Sequence, residues 1–133
     1  MIETELRTWL VANIAAVGGR VHPRKLPQEP TLPALTVTRI SGIPWPTHDG
    51  PVGKSDSRFQ ISCWAVEKRA GGTGYLGAKQ LAEDLRQALD CFTGAMGAET
   101  IEACFCVNMG DLGDDEAELQ QVAVDFLITH TEA

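Results

Sequence analysis

Phe59, Ile61, Cys63 and Ala65 alternate with Arg58, Gln60, Ser62 and Trp64. A period of two puts the first set on one face of a β-strand and the second set on the other. Such a strand has one apolar face that another layer must cover. The pattern recurs three times. Between Ala34 and Ile40, Leu35, Val37 and Arg39 alternate with Thr36, Thr38 and Ile40, and β-branched residues dominate. Between Thr100 and Asn108, Ile101, Ala103, Phe105 and Val107 share a face; between Glu118 and Thr131, Val122, Val124, Phe126 and Ile128 do.

Two stretches supply the cover. Ile2, Leu6, Trp9, Leu10, Ile14 and Val17 recur at spacings of three and four, which predicts an amphipathic helix over 2–17. Glu3 and Glu5 suit the positive end of its dipole, and Gly18-Gly19 stops it. Ala78, Leu81, Ala82, Leu85, Ala88 and Leu89 make a second stripe, predicting a helix over 75–89 that opens after the Gly-rich turn at 71–74. The order is helix, strand, strand, helix, strand, strand. It predicts an α+β fold, a mainly antiparallel four-stranded sheet with both helices on one face, and one domain over residues 1–133.

The net charge of −7 argues against a nucleic-acid binder, because phosphate recognition needs a basic surface. No apolar run approaches the roughly 20 residues that span a bilayer. The N-terminus MIETELRTWLVANIAAV carries acids where a signal peptide carries bases, so the chain is expected to stay in the cytoplasm. Its four cysteines, Cys63, Cys91, Cys104 and Cys106, are then expected to be reduced.

The candidates for chemistry are weak. Cys104 and Cys106 lie two apart on a strand and so face one way, as a pair of soft-metal ligands would. A zinc site needs about two more ligands, and His22, His48, His130 and Cys63 are scattered without ligand spacing. Buried cysteine is an ordinary core residue, and packing is the better reading. The cluster Gly71-Gly72-Thr73-Gly74 lacks the Lys-Ser/Thr of a phosphate loop. The acidic run from Gly110 to Glu118 lacks the alternating ligands of a calcium loop and reads as a solvated turn. No cofactor, metal or active site is expected.

Two long connections remain, at 18–33 and 41–56. Connections of this length inside a small domain are uncommon and often functional. The first is stiffened by Pro23, Pro27, Pro30 and Pro33. The second holds Ile43-Pro44-Trp45-Pro46, where Trp45 is either tucked under the loop or an exposed anchor for a partner.

Read in order, the segments resemble a known family. The specific parts are Arg20-Val21-x-Pro23-x-x-x-Pro27-Gln28, the strand entry Leu32-Pro33-Ala34-Leu35, and Arg58-x-Gln60-Ile61-x-x-Trp64-Ala65 leading into an Ala-rich helix. Together with the His48-Asp49-Gly50 loop they are similar to the tail-completion proteins of long-tailed bacteriophages, also called tail terminators or head–tail joining proteins. Relatives occur in prophages and gene transfer agents. The stretch Lys68–Gly77 is longer than that pattern. The resemblance implies a structural virion protein, not an enzyme, forming a ring (usually a hexamer) on the head-proximal end of the tail tube. Its partners would be itself, the tube protein and the head connector, with no membrane and no sequence-specific nucleic acid. A proline-fixed segment has little entropy to lose on docking, so on this reading Arg20, Arg24, Lys25 and Gln28 are interface residues, joined by Ile43, Trp45, His48 and Asp49 of the second loop. The rival readings are a small peptide- or protein-binding module and a cysteine-dependent enzyme.

Overall fold

The computed structural model of the protein describes residues 2–14, 17–24, 33–47, 50–66, 74–114 and 119–132. The chain runs α1 (Ile2–Asn13), β1 (Val21–Pro23), β2 (Ala34–Thr47), β3 (Gly50–Val66), α2 (Gly74–Leu89), β4 (Gly94–Met96), β5 (Glu99–Asp114) and β6 (Leu119–Glu132). The class is α+β, as the periodicities require. The sheet, however, has six strands rather than four, in the order β1-β2-β3-β6-β5-β4. It is mixed, because β1 lies parallel to β2 while the other neighbours are antiparallel. The two unforeseen strands are three residues each, too short to show a period.

The inner face carries Leu35 and Val37 from β2, Phe59, Ile61 and Cys63 from β3, and Val122, Val124, Phe126 and Ile128 from β6, all buried. Ile2, Leu6 and Leu10 of α1 and Ala78, Leu81, Ala82, Leu85 and Leu89 of α2 close the same core. Ala88 is exposed, at the margin of the expected stripe. The first helix ends at Asn13, four residues short of the expected 17, yet Ile14 and Val17 remain buried beyond it.

α2 packs on the sheet centre, against β3 and β6. α1 does something different. It touches β1 and β2 at one edge of the sheet and β4 at the other, so the sheet curls around it. Two contacts mark the β4 side. Trp9 meets Phe92 edge-on, with ring centroids 5.3 Å apart at 61°. The Glu5 carboxylate lies where a Cβ at Gly97 would stand, and Gly97 has φ +60°, so glycine is required there twice over.

The connection expected over 41–56 is largely strand. β2 continues to Thr47 and β3 starts at Gly50. Pro44 and Pro46 disguise this in the sequence. They are tolerated because β1 pairs only with Leu35–Val37, so beyond that point β2 has no outer neighbour among the described residues to need an N–H. β6 joins β3 only from Lys54 onward, and the end of this hairpin extends past the rest of the sheet.

The face expected for β5 is also corrected. Its pairing with β6 breaks between Ile101 and Ala103 and again between Cys106 and Asn108. Each bulge adds a residue and reverses the alternation. Ile101 and Cys104 therefore point inward with Cys106 and Met109 partly buried behind them, while Phe105 and Val107 are about half exposed on the outer face.

Candidate interaction surface

A cleft of about 570 Å³ opens between the first half of α1 and the edge formed by β1 and β2. Val21 and Val37 line its apolar part, and Arg7, His22, Arg24 and Arg39 surround it with Glu3 as the acid among them. Arg7 donates from Nε to the Val21 carbonyl (2.9 Å), which ties the helix to β1. Arg39 Nη1 donates to Glu3 Oε1 at 3.0 Å. Burial pushes the Glu3 carboxyl up, but its own backbone amide and the Arg39 guanidinium outweigh this and leave it below the usual range.

Arg24 sits on the rim with φ 68°, a left-handed conformation that costs a side-chain-bearing residue about 1–2 kcal/mol. Its N–H donates to the Val37 carbonyl at 2.8 Å, and the turn ends β1. Its side chain is exposed and makes no hydrogen bond or ion pair among the described residues. The same holds for the terminal amines of Arg7. Two unsatisfied guanidinium ends thus face one cleft of an acidic protein.

The residues expected at an interface are distributed unevenly. Arg20 is turned inward, donating from Nε to the Pro33 carbonyl at 2.8 Å while its own carbonyl accepts from the Leu35 N–H. It clamps the two ends of the proline-rich segment together. Arg24 reaches the cleft. Ile43 is 66% exposed on β2. Trp45 belongs to β2, with its side chain outside the described set. Lys25, Gln28, His48 and Asp49 lie outside the described residues. Arg7 and Arg39 join Arg24 at this cleft although the two lie 32 positions apart in the chain, brought together only by α1 crossing the β2 edge.

A second surface lies on the outer face, where Leu127 pairs with Phe105 across the β5–β6 ladder and Val107 is exposed beside them. Next to it Arg58 holds Asp125 at 2.8 Å, which keeps a nearly buried carboxylate paired.

The chemical alternatives meet specific obstacles. Burial drives the Cys63 thiol up to about 12, and burial reinforced by Asp90 and the neighbouring thiols does the same to Cys104. A nucleophilic cysteine needs the opposite shift. Ser57 Oγ lies 2.8 Å from His130 Nε2, and His130 Nδ1 lies 3.6 Å from Glu99 Oε2, an order found in hydrolytic triads. Here all three are buried and Ser57 has no exposed surface, so no substrate reaches it. Sequence reading missed this cluster because Ser57 and His130 are 73 positions apart and neither carries a local motif.

The architecture is that of a known virion component. A chain in the virion of a native gene transfer agent particle superposes with a TM-score of 0.69, covering 99% of this chain and 92% of that one at 15% identity. No curated protein matches the sequence. Residues 4–131 match the family described as tail completion protein gp17, and the chain belongs to that family.

Proposed function

We propose that the protein is a structural component of a phage or gene-transfer-agent virion that forms a ring, a hexamer, at the head-proximal end of the tail tube. There it ends tube growth and offers a surface to the head connector. The family match over residues 4–131 carries this reading, and the likeness to a virion chain agrees with it. The role is assembly rather than catalysis: the buried thiols hold no thiolate near neutral pH, and the Ser57–His130–Glu99 cluster is sealed in the core. One domain spanning 1–133 does the work, with the segments around 18–33 and 41–56 as its docking elements.

In the second of these, the hairpin end that carries Ile43 and Trp45 meets the tube or connector. Arg20 acts from within, by fixing the shape of the first segment, while Arg24, Lys25, Gln28, His48 and Asp49 act at the surface. Native mass spectrometry across a range of concentrations tests the ring: a closed hexamer at high concentration supports it, and a monomer throughout, even with tube protein added, contradicts it. Trp45→Ala tests the hairpin. It should give overlong or headless tails while the melting temperature stays near the wild-type value; unfolding would make Trp45 a core residue instead.

A further inference from the structure

Arg24 stands where a glycine would be less strained. Its φ of 68° is left-handed, and its backbone N–H is committed to the Val37 carbonyl at 2.8 Å. Non-glycine residues held in this way gather at ligand clamps. The side chain kept there is an exposed guanidinium with no hydrogen bond or ion pair among the described residues. It lines the cleft with Arg7, whose Nε is fixed on the Val21 carbonyl. Arg39 is held too: its guanidinium lies over Gly42, where any Cβ would meet it, and Nη1 donates to Glu3 at 3.0 Å. Glu3 and Arg39 offset each other. The cleft therefore keeps the open cations of Arg7 and Arg24 beside an apolar floor of Val21, Pro23 and Val37.

We infer that the cleft receives a short acidic segment of another protein, with an Asp or Glu carboxylate on Arg7 and Arg24 and a neighbouring apolar side chain on the valine floor. That the occupant is a polypeptide rests on the assembly reading above; the cleft supplies the chemistry. A planar fork of donors matches a carboxylate, and cations concentrated at one site steer an acidic partner to it. A short segment meets only this local field, because salt screens charges beyond about 10 Å. A nucleic-acid backbone would run on over a surface whose net charge is −7, and it would meet Glu3 in the cleft itself. An incoming strand is excluded as well, since the edge of β1 is closed. Val21 donates its N–H to the Gly19 carbonyl and gives its own carbonyl to Arg7, while Pro23 has no N–H. Recognition is left to side chains. At about 570 Å³ the cleft has the size of a small-ligand pocket, suited to a few residues rather than a domain.

The test titrates the isotope-labelled full chain, followed by NMR, with a capped hexapeptide of alternating Glu and Leu. The same peptide with Gln for Glu, inorganic phosphate and a single-stranded oligonucleotide are the comparisons. Saturable shifts should appear at the amides of Val21, Arg24 and Val37 and at the Arg7 Nε–H with the acidic peptide, and not with its Gln counterpart. Arg24→Gly separates binding from folding. It relieves the left-handed strain, so it should melt no lower than the wild type, yet bind the acidic peptide roughly tenfold more weakly, the worth of one charge-assisted hydrogen bond. The inference is overturned if the acidic peptide gives no saturable shift, or if Arg24→Gly binds it as well as the wild type does. It is also overturned if phosphate or the oligonucleotide shifts the same signals as tightly, which would make the cleft a phosphate site. Cleft signals that move with the protein's own concentration instead of with peptide would make a second copy the occupant and overturn it too. None of these readouts depends on assembly, so their failure is distinct from failure of the ring, which native mass spectrometry reads separately.

Discussion

β3 and β6 pair without a break from Lys54↔Thr131 to Val66↔Leu119, whereas β2 and β5, on either side of them, are each interrupted twice. The uninterrupted pair keeps a strict alternation, so Phe59, Ile61, Phe126 and Ile128 all reach the core. The interrupted strands lose that phase, and with it they turn apolar side chains outward: Ile40 and Ile43 on β2, Phe105 and Val107 on β5. The centre builds the core, and the flanks leave apolar side chains exposed.

Truncating one aromatic in each region separates centre from flank. Phe126→Ala, in the fully buried centre, should cost about 3–5 kcal/mol in urea unfolding. Phe105→Ala, on the outer face of the flank, should cost less than about 1 kcal/mol in the same measurement. Equal losses would erase the distinction between centre and flank.

Next in size is Ser57→Ala. It leaves His130 Nε2 buried without its partner and should cost about 1–3 kcal/mol. A neutral result would mean that the cluster does not help hold β3, β5 and β6 together.

The buried thiols respond to pH. Cys63 and Cys104 are raised by burial from 9.0 to about 12, so the folded chain keeps protons that the unfolded chain loses above about 9. Their contribution to stability is complete below that value and lost as the pH climbs toward 12. At pH 8, alkylation should label exposed Cys91 and leave Cys63 and Cys104 untouched until the chain unfolds. The smallest effect has the opposite sign. Cys91 follows α2 with φ 64°, where glycine is preferred, so Cys91→Gly should stabilise by up to about 1 kcal/mol in the same urea assay.

These contrasts also explain what the sequence makes legible. Helix 75–89, the core faces of β3 and β6, and the α+β class follow from periodicity because nothing interrupts them. β1 and β4 were invisible because three residues carry no period. The bulges at 101–103 and 106–108 were invisible because an inserted residue looks the same as any other until its partner strand is known. The cleft was legible only in part. Arg24 is named by the family resemblance of its proline-rich segment, Arg39 falls in a strand alternation, and nothing in the sequence pattern marks Arg7. Their meeting depends on the tertiary crossing of α1 over β2.

Hydrogen exchange, compared between the monomer and the assembled protein, separates the centre from the flanks amide by amide. The amides of β6, and of β3 from Lys54 onward, should exchange at the same slow rate in both, since there both strands are paired on each side within one copy. Protection should rise on assembly in the flanks, around Ile40–Ile43 of β2 and Phe105–Val107 of β5. If protection instead rises across β3 and β6 while β2 and β5 are unchanged, the flanks are not where copies meet and the account is wrong.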